Sequence, residues 1–150
     1  MDDADRRILR AIQKDPDLTM RQLAEVTGLS HTPCWRRLNQ LKDAGVIEAK
    51  RYILSPAAAG FSVVVFCFVR MKEHKRESLI EFEAAVQRIP EVMQCYSATG
   101  DHDYILRVLA RSVSHYEQTI KNHVVELPHV SFISTSVTLN EVKNTTDIPI

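Results

Sequence analysis

Residues 19–45 read TMRQLAEVTGLSHTPCWRRLNQLKDAG, and this stretch decides the fold of the first part of the chain. Thr19 and Gln22 have the spacing of a capping box, in which each side chain bonds the backbone N–H of the other residue. This predicts a helix that runs from Thr19 to about Val26. Gly28 then supplies a turn, because glycine readily adopts the backbone conformation that ends a helix.

A third helix is predicted after this turn. Ser30 or Thr32 can cap it, and Pro33 falls in its first turn, where a missing N–H is tolerated. The helix should end near Ala44 and Gly45. Two short helices separated by a turn of a few residues that contains glycine are typical of a helix-turn-helix, whose second helix enters the major groove of DNA.

The residues on either side extend this arrangement. From Asp3 to about Asp15, apolar residues recur at helical spacing behind an acidic first turn, which predicts a first helix. After the third helix, residues 48–54 include β-branched and aromatic residues beside Lys50 and Arg51. That segment would suit a small wing or a strand that crosses between domains.

The predicted third helix has two contrasting faces. At 100° per residue, Cys34, Leu38 and Leu41 fall on one stripe, which indicates a buried face. The opposite stripe is polar, and its side chains can contact base edges in a major groove; Trp35 and Arg37 lie on the flanks. This outer stripe consists of Thr32, Arg36, Asn39 and Gln40. An ordinary solvated helix face is the alternative. Lys50 and Arg51 could bind phosphates or could be plain surface charge.

The second half of the chain alternates between strand and helix patterns. The predicted order is strand 63–71, helix 75–89, strand 92–99, strand 104–110, helix 114–126 and strand 130–142. This β-α-β-β-α-β order predicts a ferredoxin-like fold. The chain is therefore predicted to be α+β, with a winged helix-turn-helix domain at 1–52, a linker at 53–60 and a ferredoxin-like domain at 61–150.

Residues 63–69 are almost continuously apolar, so this strand should be covered on both faces. Helices cover one face in the predicted fold. The other face, or an edge, would then be buried by a partner.

One strand-to-strand connection concentrates polar chemistry. Residues 100–104 place Asp101, His102 and Asp103 directly after Gly100, a density that suggests a ligand site. A plain hairpin, using Gly and Asp for their backbone conformations, explains the same residues. A metal site is a weaker alternative, because consecutive residues cannot all converge on one ion.

Composition narrows the function further. The chain has 19 basic and 19 acidic residues. Residues 1–52 hold ten of the basic and eight of the acidic ones, and this weak excess of +2 is in the direction expected for a DNA-binding domain.

No apolar run spans a membrane and no basic-then-apolar leader is present, so a cytoplasmic protein is expected. Three scattered cysteines suggest no disulfide framework and no zinc site, and Cys34 is expected to be a small core residue rather than a redox sensor. No catalytic motif is found, so neither an enzyme nor a cofactor is predicted.

The chain resembles the Lrp/AsnC family of feast/famine regulators across essentially its whole length. Residues 29–38 and 41–47 carry the resemblance in the first half. Residues 90–96 and 99–108 are similar to the ligand-sensing domain of the family, and residues 143–150 resemble the tail of one branch. The chain departs from many members at His31, where proline is common, and at His102, where an aromatic residue or proline is common.

The resemblance implies a regulator that binds double-stranded DNA. The predicted DNA-contacting residues are Ser30, His31, Thr32, Trp35, Arg36, Arg37, Asn39, Gln40 and Lys50. It also implies a homodimer built through the C-terminal domains, often assembled as four dimers into an octamer. A small amino acid or related effector would bind between dimers, contacting Tyr96, Thr99, Gly100, Asp101, His102 and Asp103, with Thr135 and Ser136 as neighbours from another subunit. Two other functions stay open from the residues: an oligomeric ligand-binding protein with a vestigial helix-turn-helix, and a small enzyme using Asp101–Asp103.

Overall fold

The chain forms two compact units in a computed structural model that describes residues 1–150 except for the side chain of Thr119. The first unit comprises Met1–Ile53 together with Lys143–Ile150, and the second comprises Leu54–Val142. The last eight residues therefore lie with the first unit, although the sequence placed them in the C-terminal domain.

Three helices form the first unit: α1 (Asp3–Lys14), α2 (Met20–Thr27) and α3 (His31–Asp43). They enclose a small core. Its fully buried apolar side chains are Ile8, Leu9, Leu23, Ala24, Cys34 and Leu41. Cys34 is 0% exposed within this core, so it packs as the small apolar residue that its helix stripe predicted.

Local sequence signals explain where these helices begin. Asp2 and Asp5 form a reciprocal capping box at the start of α1, and Thr19 and Gln22 form the predicted one at the start of α2. The start of α3 differs from the prediction, because Ser30 occupies the N-cap position without a side-chain cap bond.

The turn between α2 and α3 depends on Gly28. Its φ of 68° lies in the left-handed region, and its N–H bonds the carbonyls of Ala24 and Glu25. A side chain is strained in this conformation, so glycine gives the sharp turn that separates the two helices.

Residues 48–54 form no strand in the single chain, contrary to the predicted wing or crossing strand. A strand needs a paired neighbour, and the first unit has no other strand to supply one. Tyr52, Ile53 and Leu54 are left highly exposed. The predicted linker, residues 53–60, spans the boundary between the units and ends in turns at 56–60.

The second unit has the predicted ferredoxin-like order. Its elements are β1 (Val63–Met71), α4 (Arg76–Val86), β2 (Val92–Ser97), β3 (Tyr104–Ala110), α5 (Val113–His115), a π-helical turn (Tyr116–Ile120), α6 (Lys121–Val125) and β4 (Val130–Val137). The antiparallel sheet has the order β2-β3-β1-β4. β4 ends five residues earlier than predicted, because the strand it pairs with, β1, begins at Val63.

The two faces of this sheet differ. In β1, Val65, Cys67, Val69 and Met71 are buried in a core with the helices. The alternate residues of β1 lie on the face away from the helices, which we call the open face, and stay partly exposed. No element of the second unit covers the open face. No helix in the described part of the chain is long and apolar enough to cross a membrane.

The tail is fixed to α1 by three hydrogen bonds. The Gln13 amide donates to the Ile148 carbonyl at 3.2 Å and accepts from the Ile148 N–H at 2.9 Å. Arg10 Nε donates to the Ile150 carbonyl at 2.7 Å, and Ile150 packs against the helical core.

Candidate nucleic-acid interface and ligand site

The outer stripe of α3 faces solvent, as the helix periodicity predicted. Thr32, Arg36 and Gln40 are exposed and Asn39 is partly exposed. None of these four side chains makes a recorded polar contact with another described residue, so their donors and acceptors are available to a partner. Ser30 and His31 are exposed at the N-terminal end of the same helix, and Trp35 is 54% exposed on its flank.

Arg37 has a different environment from Arg36. Its Nη1 lies 2.8 Å from a carboxylate oxygen of Asp2 and 2.8 Å from one of Asp5, both at the start of α1. These hydrogen bonds, first with Asp5 and then with Asp2, raise the pKa of the Arg37 guanidinium. Arg37 therefore ties α3 to α1, and it is not freely presented beside the outer stripe.

Lys50 is also engaged within the first unit. Its Nζ lies 2.6 Å from Asp17 Oδ1, and this contact raises the pKa of Lys50. Both side chains are largely exposed, so the pair is a weak one that a phosphate can displace.

In the second unit, the turn at Gly100–Asp103 is attached to the end of β1. The Asp103 N–H donates to the Val69 carbonyl at 2.8 Å, and Arg70 Nε donates to the Asp101 carbonyl at 3.0 Å. The Asp103 carboxylate accepts the Met71 N–H at 2.7 Å, and its other oxygen lies 2.7 Å from His74 Nε2. The turn therefore not only connects β2 to β3 but is also held by hydrogen bonds to residues of β1 and to His74.

The two aspartates of this turn have separate environments. The bond from the Met71 N–H, and then the bond from His74, lower the pKa of Asp103 below its ordinary value. Asp103 is therefore ionised and fully engaged, so an ammonium group would have to displace these partners. Asp101 is exposed, and no described side chain bonds its carboxylate. Of the two carboxylates in the turn, Asp101 alone has no described partner.

The turn also presents backbone donors. Gly100 has a φ of 110°, and the N–H groups of Gly100, Asp101 and His102 have no recorded acceptor in the described chain. Successive free N–H groups in a turn are donors that an anion can use when they converge. Thr99 is exposed beside it, and Tyr96 is 57% exposed on the open face, opposite Ile105.

One chain does not bring Thr135 and Ser136 to this turn. They pair with Cys67 and Phe66 on β1, whereas the turn lies beside Val69–Met71. Because they are consecutive in a strand, they also point to opposite faces of the sheet.

The sequence did not identify two residues that contact the turn, Arg70 and His74. Arg70 carried a usable signal, because it is a charged residue inside an otherwise apolar strand. His74 carried none, since its contact with Asp103 depends on how β1 and the turn meet in space.

The described side chains include no group of three His, Cys, Asp or Glu residues that could hold a metal ion. The thiols of Cys67 and Cys95 are also poor nucleophiles. Burial, together with the charge of Glu83, raises the pKa of Cys95 to about 11, and burial raises that of Cys67. Both thiols are therefore protonated near neutral pH.

A helix-turn-helix with an open polar stripe, joined to a ferredoxin-like domain, is typical of ligand-responsive DNA-binding regulators. Residues 1–48 match the model for a winged helix-turn-helix DNA-binding domain, and residues 64–148 match that for the Lrp/AsnC ligand binding domain. The chain belongs to the Lrp/AsnC family of transcriptional regulators.

Curated relatives and solved structures agree with this assignment. The chain is 32% identical over 150 residues to the DNA-binding transcriptional activator DecR of Escherichia coli, covering 100% of this chain and 99% of the relative. It is 38% identical over 152 residues to the glutamate uptake regulatory protein of Zymomonas mobilis, covering 100% and 91%.

Two structures share its fold closely. An AsnC family transcriptional regulator from Agrobacterium tumefaciens matches with a TM-score of 0.93 and 36% identity, covering 99% of this chain and 97% of that one. A transcriptional regulator from Neisseria meningitidis, solved as a complex with L-Met, matches with a TM-score of 0.92 and 32% identity, covering 99% and 96%. The chain is a DNA-binding transcriptional regulator of the family.

Proposed function

We propose that this regulator recognises specific DNA through the outer stripe of α3 and that a small α-amino acid controls this binding from the Gly100–Asp103 turn. The observation that carries the DNA part is the set of side chains without described partners on the second helix of a helix-turn-helix: the exposed Thr32, Arg36 and Gln40 and the partly exposed Asn39. Arg can bond guanine with two donors, and Asn or Gln can bond adenine in the same way. Ser30, His31, Trp35 and Lys50 border this stripe and would position the helix on the backbone.

The turn offers complementary groups for both ends of an amino acid. The open Asp101 carboxylate suits the α-ammonium, and the free N–H groups of Gly100, Asp101 and His102 suit the α-carboxylate. The related Neisseria structure with L-Met supports an amino acid as the ligand class.

A homodimer is the proposed basic assembly, with the uncovered apolar open face of the sheet as the surface that a second copy buries. Four such dimers would make an octamer. Tyr96, Thr99 and the turn of one subunit would then meet Thr135 or Ser136 of another, which explains why a single chain does not bring them together. An effector bound between subunits changes the assembly by its different affinity for the two states.

The protein is proposed to act in the cytoplasm, where chromosomal DNA is accessible, and to bind its effector without turning it over. The thiols of Cys67 and Cys95 are protonated and the Asp103 carboxylate of the turn is held by the Met71 N–H and His74, an arrangement that suits structure better than catalysis.

The DNA-binding part is tested by a competition gel shift with the region upstream of the protein's own gene. At moderate salt, this DNA should compete at least about tenfold better than random DNA of equal length and composition, a difference of about 1.4 kcal/mol. Equal competition would show that binding is not sequence-specific there.

The effector part is tested separately by isothermal titration of the full chain with the twenty common amino acids. At least one should give a saturable binding heat and shift the assembly state in sedimentation. No binding by any of them would remove the effector assignment while leaving the DNA result intact.

A further inference from the structure

We propose that the effector site selects an amino acid with a second carboxylate, that is, an acidic amino acid, and that Arg70 and His102 recognise the added charge. This inference rests on the proposed effector function of the Gly100–Asp103 turn. It concerns the groups around the turn that the α-ammonium and α-carboxylate would not use.

Arg70 is the first of these groups. It lies on the open face, in line with Phe66 and Phe68 on β1, and its side chain is exposed. Its Nε is held by the Asp101 carbonyl at 3.0 Å, while no described side chain bonds its terminal nitrogens. The backbone of the turn therefore fixes the guanidinium beside the site and leaves its two-pronged donor edge available to a carboxylate.

His102 is the second group, and its ring is fixed by packing. It lies over Phe68 with the ring centroids 5.4 Å apart and the ring planes tilted by 42°. Its Nδ1 is buried without a hydrogen-bond partner in the described structure. The tautomer with its proton on Nε2 leaves no buried N–H without an acceptor, and in this tautomer the outer edge of the imidazole is a donor.

The open groups at the turn point the same way. The Asp103 carboxylate is occupied by the Met71 N–H and His74, which leaves Asp101 as the open acidic group. A ligand ammonium would pair with Asp101, and the terminal nitrogens of Arg70 would still be open beside it. A second carboxylate on the ligand accepts from these nitrogens with both oxygens, whereas a side-chain amide offers only one carbonyl oxygen.

The same chemistry distinguishes amino acids from simple diacids. A dicarboxylate without an ammonium group would pair with Arg70 but would place negative charge against Asp101. The site should therefore reject glutarate relative to L-glutamate.

The test is isothermal titration of the full chain with L-glutamate and L-aspartate against L-glutamine and L-asparagine, which differ only in side-chain charge. We expect the better acidic ligand to bind at least about tenfold tighter than its own amide. Glutarate, which lacks the ammonium group, should bind more weakly than L-glutamate.

Arg70→Gln is the informative variant, because glutamine keeps an N–H donor that can reach the Asp101 carbonyl but removes the charge. It should reduce the preference for acid over amide to about threefold or less while amide binding persists. His102→Phe keeps the packing on Phe68 and should reduce the preference by a smaller factor. Arg88→Gln is the matched control: Arg88 is an exposed arginine of the same unit without a recorded side-chain contact, and its loss should leave the preference unchanged.

Two outcomes overturn the proposal in different ways. If the amides bind as tightly as the acids, or if the preference survives in Arg70→Gln, acidic selectivity is wrong while the effector function stands. If no amino acid binds, the effector function of the turn fails as well.

Discussion

The recognition helix α3 and the Gly100–Asp103 turn each contain two residues of the same type. In each pair, one side chain has described partners and the other has none. In α3, Arg36 is exposed and free of described partners, whereas the neighbouring Arg37 bonds Asp2 and Asp5. In the turn, Asp101 is open, whereas Asp103 is engaged by Met71 and His74. In both regions one residue is available to a ligand, and the other residue of the pair holds the helix or the turn in place.

The two regions differ in what does the holding. Arg37 is held only by side chains, those of Asp2 and the more buried Asp5. Asp103 is about as exposed as Arg37, but it is held in part by a backbone N–H, that of Met71. We therefore expect the turn to be more rigidly positioned than the flank of α3.

The largest effect is expected from Arg36. Arg36→Ala should weaken binding to the specific DNA by about 10- to 100-fold, because a two-bond contact to a base edge contributes about 1–3 kcal/mol. The melting temperature of Arg36→Ala should equal that of the wild-type chain. Arg37→Ala is the matched variant and should lower the melting temperature slightly, with a much smaller loss of DNA affinity. Fluorescence anisotropy and thermal denaturation measure the two quantities, and the reverse pattern would exchange the roles of the two arginines.

The second effect concerns the stability of the second unit. Asp103→Asn keeps the shape of the side chain but removes the charge that Met71 and His74 contact, so unfolding in urea should become easier by about 1–2 kcal/mol. Asp101→Asn should leave the unfolding free energy nearly unchanged and weaken amino-acid binding instead. Equal destabilisation by both changes would mean that Asp101 is also structural.

The loss of unfolding free energy in Asp103→Asn should depend on pH, because the pKa of Asp103 is lowered in the folded chain. A carboxyl whose folded pKa lies below its unfolded value, about 3.9, stabilises the fold fully above the unfolded pKa. This stabilisation is lost as the pH falls through the folded pKa. The gap in unfolding free energy between the wild-type chain and Asp103→Asn should therefore be constant near neutral pH and shrink below about pH 4. A gap that widens in acid would contradict the assignment.

The smallest effect is expected at the tail. Gln13→Ala removes both bonds to Ile148, and these exposed hydrogen bonds should together contribute less than about 1 kcal/mol to the first unit. Arg21→Ala, at an exposed helix position without a recorded contact, is the control. If Gln13→Ala instead lowered the unfolding free energy of the unit several times more than Arg21→Ala does, the tail would contribute substantially to the stability of the helices.

Sequence reasoning succeeded where the deciding interactions are local. The capping box of Thr19 and Gln22 spans three residues, and the helical periodicity of α3 separated its buried stripe from its exposed one. These patterns depend on neighbouring residues alone, and they were sufficient to predict the helix-turn-helix and the ferredoxin-like order.

Prediction from the sequence was incomplete where the hydrogen-bonded residues are distant in the chain. The bonds from Arg37 to Asp2, from Arg70 to Asp101 and from Gln13 to Ile148 join residues separated by 35, 31 and 135 positions. Which of two adjacent arginines or nearby aspartates is free depends on such contacts, and no local pattern encodes it. The missing strand at 48–54 has the same cause, since pairing needs a partner that the local sequence does not specify.

The most direct test of the regulator is the dissociation constant for its upstream DNA, measured with and without the amino acid that binds most tightly. We predict that the saturating amino acid changes this constant by about 5- to 150-fold, corresponding to about 1–3 kcal/mol of coupling. Asp101→Asn should bind the DNA normally in the absence of the amino acid and show a much smaller response to it. If both ligands bind the wild-type chain and the constant does not change, the turn does not control DNA binding.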